Sequence, residues 1–101
     1  MTTAIPLDTE AIAAVSVRYG VERLRIFGSV LTDRFDPGRS DVDFLVEFKS
    51  DRENVFHDYF DLKVALEQIV GCDVDLVVAN AVKNPYVAKS IFDGAEEVYA
   101  A

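Results

Sequence analysis

The chain has 101 residues, half of them hydrophobic, which can bury a modest core in one domain over residues 1–101 and leaves no room for a second catalytic domain. Acidic residues outnumber basic residues by 18 to 10, and the formal net charge is −8 with a pI of about 4.4. We therefore expect no nucleic-acid ligand, because phosphate contacts need clustered lysines and arginines.

The single cysteine and the absence of a recognisable targeting signal favour a cytoplasmic protein. Cys72 is the one cysteine of the sequence, so no internal disulfide can form, and we expect it to be a partly buried hydrophobe beside a turn. The sequence shows no signal-peptide pattern and no apolar run long enough to cross a bilayer. The expected location is the cytoplasm, without membrane contact.

The first part of the chain predicts a helix, a strand and a short second helix. Asp8 or Thr9 can cap the first helix, whose apolar residues recur near helical spacing, and Gly20 ends it. Charged and apolar side chains alternate over residues 22–27, which predicts a strand. A short helix is expected to begin at the glycine and serine that follow, and the sequence Phe-Asp-Pro-Gly then predicts a turn.

Residues 41–48 predict the second strand, and the strand period of two separates its side chains into two faces. One face carries four apolar side chains, those of Val42, Phe44, Val46 and Phe48. The other face carries Asp41, Asp43, Leu45 and Glu47. The alternation therefore puts the two aspartates on the same side of the strand.

The longest predicted helix covers residues 54–70, and Gly71 ends it. Its apolar stripe follows helical spacing through Val55, Tyr59, Leu62, Leu66 and Ile69. Residues 73–78 then predict a third strand, whose polar face carries Asp73 and Asp75.

The C-terminal part of the chain predicts one more helix and a closing strand. Asn84 can cap this helix, with Pro85 at its first position and Gly94 after its last turn. Residues 96–100 predict the closing strand.

This order of elements predicts an α/β or α+β fold, in which helices pack on a small mixed β-sheet. The connection between the second and third strands has about 25 residues including a helix, which is long enough for a parallel crossover. The sequence leaves open whether all strands run parallel.

Asp41 and Asp43 form an Asp-x-Asp pair that suits divalent cations. Their side chains leave the same strand face about 6.6 Å apart along the backbone. Without a cation the two carboxylates would repel each other, and one would tend to stay protonated. Mg²⁺ prefers carboxylate oxygens, and two ions can hold both the attacking and the leaving oxygen of a phosphoryl displacement. A third acid on a neighbouring strand would complete such a site, and strand geometry leaves Asp73 and Asp75 as alternatives.

Gly28 and Ser29 suit a phosphate group. A glycine between a strand and a helix lets a phosphate come close to the backbone, where amides at the start of the helix point toward it. The serine hydroxyl adds a donor. Backbone amides and metal ions together would let an acidic protein bind a triphosphate.

Each of these features also has an explanation that involves no ligand. An Asp-x-Asp at the start of a strand is common in solvated turns, and a Gly-Ser pair alone is a weak signal. Asp73 and Asp75 could form the polar face of an edge strand, where charges discourage aggregation. The joint order of Gly-Ser, Asp-x-Asp and a further acid on three successive strands favours the functional interpretation.

The sequence resembles a known family at these positions. Residues 27–29, FGS, followed by residues 40–46, SDVDFLV, resemble the signature of the DNA polymerase β-like nucleotidyltransferase superfamily. Residues 74–77, VDLV, resemble its third-acid strand. The ending KNPYVAKSIFDGAEEVYA is similar to that of the minimal nucleotidyltransferases, the MntA-like antitoxins paired with HEPN ribonuclease toxins. The resemblance implies the nucleotidyltransferase fold.

The resemblance also implies roles for the candidate residues. Gly28 and Ser29 would hold the nucleotide phosphates, Asp41 and Asp43 would bind Mg²⁺, and Asp75 would be the third carboxylate that shares a metal and helps to activate the acceptor hydroxyl. Two Mg²⁺ ions and ATP are the implied cofactor and substrate. The implied reaction transfers AMP from ATP to a tyrosine of a HEPN toxin, which makes the chain the antitoxin of a type VII toxin–antitoxin system and a partner in a hetero-oligomer.

The sequence departs from the family in one loop. The family usually places ten residues between the serine and the first aspartate, whereas residues 30–40 are eleven here. This difference motivates a second hypothesis, in which the chain masks its toxin by binding, without catalysis. A third hypothesis is a nucleotidyltransferase that acts on a small molecule, which nothing in the sequence excludes.

Overall fold

The computed structural model describes residues 7–32, 34–36, 41–51 and 53–101 of the chain. Its helices are α1 (Thr9–Arg18), α2 (Val55–Val70) and α3 (Pro85–Gly94), and its strands are β1 (Val21–Phe27), β2 (Val42–Phe48), β3 (Val74–Val78) and β4 (Glu96–Ala100). Short 3₁₀ helices follow β1 at Gly28–Leu31 and β3 at Ala79–Ala81. Within the described ranges, no helix is long and apolar enough to cross a bilayer.

The four strands form one mixed sheet in the order β3-β2-β1-β4. β1 runs antiparallel to both β2 and β4, whereas β2 and β3 are parallel and α2 connects them. The mixed α+β fold is therefore confirmed, including the parallel crossover between the second and third strands. The strand directions that the sequence left open are thus one parallel and two antiparallel pairs.

Polar caps begin the three helices. Asp8, one of two predicted alternatives, and Asn84 are the expected caps, whereas Asn54 was predicted to lie inside the helix that it caps. Asp8 accepts a hydrogen bond from the amide of the third helical residue of α1, and Asn54 and Asn84 cap α2 and α3 in the same way. Gly71 ends α2 with a φ of 74°, in the left-handed region that favours glycine. Several boundaries differ from the prediction by one residue: α2, β2 and β3 each begin one residue later, and α3 includes Gly94 in its last turn and ends one residue later.

The main core lies between one face of the sheet and helices α1 and α2. Its central side chains are completely buried and come from both layers: Ile12, Leu24, Ile26, Phe44, Val46, Leu62 and Leu66. This face of β2 is the predicted apolar face. On the opposite face, which carries Asp41, Asp43 and Glu47 as predicted, Leu45 is also completely buried. β2 is an inner strand, and Leu45 is paired with Arg25 of β1 on the face over which α3 crosses.

Side chains of α2 satisfy the outer backbone groups of β3, which is an edge strand. The hydroxyl of Tyr59 donates a 2.6 Å hydrogen bond to the carbonyl oxygen of Leu76, and Glu67 Oε2 accepts a 3.1 Å bond from the amide of Val74. These two contacts join the helix to the edge strand on either side of Asp75. The predicted apolar stripe of α2 therefore includes a tyrosine with a polar function, and its first member, Val55, is exposed.

Candidate active site

Strand register brings two of the predicted acids directly together. Phe27 of β1 lies opposite Asp43 of β2, and Asp43 in turn lies beside Asp75 of β3. Residues paired in this way point to the same face of the sheet, with β-carbons about 5 Å apart. We call these three paired residues, Phe27, Asp43 and Asp75, the acid row. The row lies at the end of the sheet where β1 ends and β2 and β3 begin.

Asp41 and Asp73 lie just outside the strands. Asp41 immediately precedes β2 and is exposed. Asp73 is also exposed, and its carbonyl oxygen accepts a 2.9 Å hydrogen bond from the amide of Val42. The neighbour of Asp43 across the ladder is therefore Asp75 and not Asp73.

The carboxylate of Asp43 lies in an environment that disfavours its negative charge. Burial, together with the negative charges of Asp75 and Asp41, raises its pKa from the usual 3.8 to about 6. In the described part of the chain, no lysine or arginine forms an ion pair with any of these three aspartates. A bound cation would relieve both the repulsion and the cost of burying the charge.

Gly28 lies directly against Asp43. Its φ of 84° falls in the left-handed region that other residues rarely adopt. A β-carbon on Gly28 would overlap with Oδ2 of Asp43 and lie 3.2 Å from its Cγ. Glycine is therefore required at this position both for the backbone turn and for the position of the Asp43 carboxylate.

Ser29 is held in the first turn of the 3₁₀ helix. Its carbonyl oxygen accepts hydrogen bonds of 2.9 Å from the amide of Thr32 and 2.8 Å from the Thr32 hydroxyl. Among the described residues, none hydrogen-bonds to the Ser29 hydroxyl, which is half-buried. The chain beyond this turn leads to the predicted Phe-Asp-Pro-Gly turn and the longer loop, where residues 37–40 lie outside the described residues.

The donor set fits Mg²⁺. All three candidate ligands are carboxylates, and the mutual repulsion that raises the pKa of Asp43 is the condition that a divalent ion removes. Within the described ranges, no three His, Cys, Asp or Glu side chains already have the spacing of a complete metal cage. Mg²⁺ is usually held by one or two carboxylates together with waters and substrate phosphates, so a substrate would supply the remaining ligands.

The remainder of the acid-row face carries paired charges that the sequence reasoning missed. Arg23 binds Glu97 through Nε at 2.8 Å, and Arg25 binds Glu47 through Nη2 at 2.7 Å. Strand alternation places Arg23 and Arg25 on one face of β1. Their partners come from two other strands, so only the register of the sheet identifies them.

A cleft of about 560 Å³ lies away from the acid row, between Gly20, Lys49, His57 and neighbouring polar residues. Gly20 precedes β1 and Lys49 follows β2, so both lie at the end of the sheet opposite the acids. We assign the candidate site to the acid row, because a nucleotide held by metal ions needs converging carboxylates more than an enclosed cavity.

Known proteins share this arrangement of sequence and fold. The sequence profile of nucleotidyltransferase domains matches residues 9–98. A relative from Methanocaldococcus jannaschii that carries the name protein adenylyltransferase is 38% identical over 74 residues, which make up 73% of each chain. A solved structure described as a minimal nucleotidyltransferase is 33% identical, with a TM-score of 0.72 over 87% of this chain and 86% of the other.

Toxin–antitoxin complexes are similar in fold. A chain of a complex with AMP-PNP has a TM-score of 0.71 at 18% identity, over 94% of this chain and 75% of the other. A chain from the complex of a tri-AMPylated Shewanella oneidensis HEPN toxin with an MNT antitoxin has a TM-score of 0.56 at 15% identity, over 92% and 73%. At these identities the likeness concerns the fold alone. With the profile match over nearly its whole length and relatives above 30% identity, the chain belongs to the nucleotidyltransferase domain family.

Proposed function

We propose that this nucleotidyltransferase is a Mg²⁺-dependent protein adenylyltransferase, which transfers AMP from ATP to a tyrosine of a HEPN-type toxin and thereby acts as its antitoxin. The observation that carries the proposal is the contact of Gly28 with Asp43, beside Asp75 on the next strand. The name of the Methanocaldococcus relative supports a protein acceptor. The AMPylated HEPN toxin bound to a protein of similar fold supports the partner class.

The metal ligands would be the three aspartates. Asp41, Asp43 and Asp75 would hold two Mg²⁺ ions together with phosphate oxygens of ATP. When bound, such ions neutralise phosphate charge and stabilise the attacking and leaving oxygens of the displacement. The aspartates would thereby exchange their mutual repulsion for contacts with a cation.

Other residues of the site would position the nucleotide and the acceptor. Gly28 would let the triphosphate approach the backbone, and the Ser29 hydroxyl would donate a hydrogen bond to a phosphate oxygen. The acceptor oxygen attacks the α-phosphorus, so that a phosphorus–oxygen bond forms while the bond from the α-phosphorus to the leaving pyrophosphate breaks. Asp75 would accept the proton of the tyrosine hydroxyl.

Transfer of labelled AMP tests the proposal directly. Purified protein is mixed with labelled ATP, Mg²⁺ and a HEPN-type partner protein, and labelling of the HEPN protein is followed. We expect labelling with the wild type and none with Asp41→Asn plus Asp43→Asn. As a matched control, Asp61→Asn changes an exposed acid of α2 and should label normally. Absence of labelling by the wild type, or equal labelling by the double variant, would reject the proposal.

An apolar surface on α2 favours a second candidate function, the masking of a toxin by binding alone. Phe56, Phe60 and Val64 are all exposed at helical spacing, and Phe56 is 70% exposed. The rings of Phe56 and Phe60 contact each other edge to face at 4.9 Å, which holds this surface in a defined shape. Full inhibition of the toxin by the double aspartate variant without ATP would favour masking over adenylylation.

A further inference from the structure

A buried arginine lies on the same face of the sheet as the acid row. The side chain of Arg25 is only 12% exposed, whereas that of Arg23, two residues earlier, is 44% exposed. The Arg25 guanidinium binds Glu47, but its buried Nε has no hydrogen-bond partner among the described residues. Burying an incompletely paired guanidinium costs free energy, so this position needs an explanation beyond the stability of the sheet.

The group that covers Arg25 is the aromatic ring of Phe92 in α3. The guanidinium carbon lies 4.9 Å from the ring centroid, within the range of a cation–π interaction. No residue of α3 is fully buried, and Phe92 is half-buried. Stacking of Phe92 on Arg25 is therefore a principal contact that fixes this helix on the sheet.

Chain topology carries the end of α3 toward the acid row. β3 ends at Val78, which pairs with Val46, at the far end of the sheet from the acids. β4 begins at Glu96, which pairs with Ile26, the residue before Phe27. α3 connects these two places and so crosses the face obliquely, with its last turn at the end of the sheet that carries Gly28 and Asp43.

The distance between Arg25 and the acid row is small. On this face of the sheet, the pair of Arg25 and Leu45 is the next after that of Phe27 and Asp43, two residues or about 6.7 Å along the strands. Phe92 stands over the first pair, and the aspartates are exposed or half-buried at the second. The placement of Phe92 therefore puts the last turn of α3 beside the acid row.

We propose that Arg25 is a positioning residue which, through Phe92, fixes the last turn of α3 as one wall of the nucleotide-binding groove. This inference rests on the proposed nucleotidyl transfer and assigns Arg25 no contact with the reacting atoms. Loss of the stacking should weaken nucleotide binding, because the wall is no longer held at a fixed distance from the acids. Turnover at saturating ATP should change little, because the three aspartates keep their places on β2 and β3.

The variants separate stacking from charge and from apolar volume. Arg25→Lys keeps a cation beside Glu47 but loses the planar group that stacks on Phe92. Phe92→Leu keeps apolar volume without a ring, and Phe92→Tyr keeps the ring. Arg23→Lys is the matched control, because Arg23 pairs with Glu97 on the same face and is more exposed.

Two measurements test the proposal: calorimetric binding of AMP-PNP with Mg²⁺, and hydrogen exchange of the amides of residues 85–94. We expect Arg25→Lys and Phe92→Leu to raise the Kd about tenfold and the KM for ATP similarly, with kcat nearly unchanged. Both variants should also exchange faster in α3, while Phe92→Tyr and Arg23→Lys should match the wild type.

Either measurement can overturn the inference. Unchanged exchange of α3 in Arg25→Lys and Phe92→Leu would show that the stacking does not anchor the helix, whatever the protein catalyses. Faster exchange with an unchanged Kd would show that α3 is not a wall of the binding groove. Wild-type protein that binds no AMP-PNP would instead reject the proposed function, and the positioning role with it.

Discussion

The carboxylate of Asp43 occupies the space that a side chain on residue 28 would need. Gly28 begins the 3₁₀ turn that follows β1, and Asp43 is the second residue of β2. The two residues therefore come together through pairing of the strands and not through neighbouring positions in sequence. The Gly-Ser and Asp-x-Asp motifs are thus joined by the contact between Gly28 and Asp43. A change at either residue should disturb the other.

Gly28→Ala should abolish AMP transfer, because the new methyl group would push the Asp43 carboxylate out of the acid row. The left-handed backbone should also cost about 1 kcal/mol of stability. Gly71→Ala is the matched control: its φ is 74°, but nothing lies within 4 Å of an added β-carbon. Urea unfolding and AMP transfer should therefore show similar stability losses for both variants and loss of activity for Gly28→Ala alone. Full activity of Gly28→Ala would contradict the proposed contact.

Asp43→Asn should be more stable than the wild type above pH 6 when metal is removed by EDTA. The pKa of Asp43 is raised in the folded protein, from 3.8 to about 6, so the stability that its protonated form provides is fully present below pH 3.8 and is lost as the pH rises through 6. Asparagine has no charge to bury. Melting temperatures from pH 3.5 to 8 should therefore coincide at the acidic end and diverge toward neutral pH.

Asp61→Asn, which changes an exposed acid, should not show this divergence. Added Mg²⁺ should raise the melting temperature of the wild type and not of Asp43→Asn, because binding to the folded state stabilises it. If the melting temperatures of wild type and Asp43→Asn differed by the same amount at every pH, ionisation of Asp43 would not destabilise the folded protein.

Asp75→Asn and Asp73→Asn separate the acid that faces Asp43 from the one that does not. We expect Asp75→Asn to lower AMP transfer about 10²–10⁴-fold, as for loss of a group that accepts a proton and shares a metal. Asp73→Asn should retain near wild-type activity, because its side chain is exposed outside β3. Single-turnover rates at saturating Mg²⁺ and ATP measure both, and the reverse order of effects would move the third carboxylate to Asp73.

Tyr59→Phe should lower the free energy of unfolding by about 1 kcal/mol, because it leaves the carbonyl of Leu76 without its hydrogen bond at the sheet edge. Tyr86→Phe removes the hydroxyl of a tyrosine that is 85% exposed, and it should change nothing. Denaturant unfolding of both variants provides the measurement. Equal stability of Tyr59→Phe and the wild type would show that water satisfies this carbonyl equally well.

Features with short-range causes were predictable from the sequence. Capping by Asp8 and Asn84 depends on a side chain and an amide two or three residues away, and the structure confirms both. The placement of Asp41 and Asp43 on one side of a strand likewise needs only the strand period.

Features that depend on strand register were not predictable from patterns alone. Burial of Leu45 results from the inner position of β2 and the cover on its second face, neither of which the alternation of β2 reveals. Contact of Asp43 with Asp75, and the ion pair of Arg25 with Glu47, join residues on different strands. The family resemblance implied Asp75 as the third carboxylate, where strand geometry had left Asp73 as an alternative, and the register pairs Asp75 with Asp43.

Pairing of Phe27 with Asp43 separates the length of the long loop from the spacing of the site. Both ends of that loop are attached to the antiparallel ladder of β1 and β2, so the hydrogen bonds of the ladder determine the distance from Gly28 to Asp43. An additional loop residue can bulge outward without moving either end. Loop length can therefore vary while Gly28 and Asp43 keep one geometry.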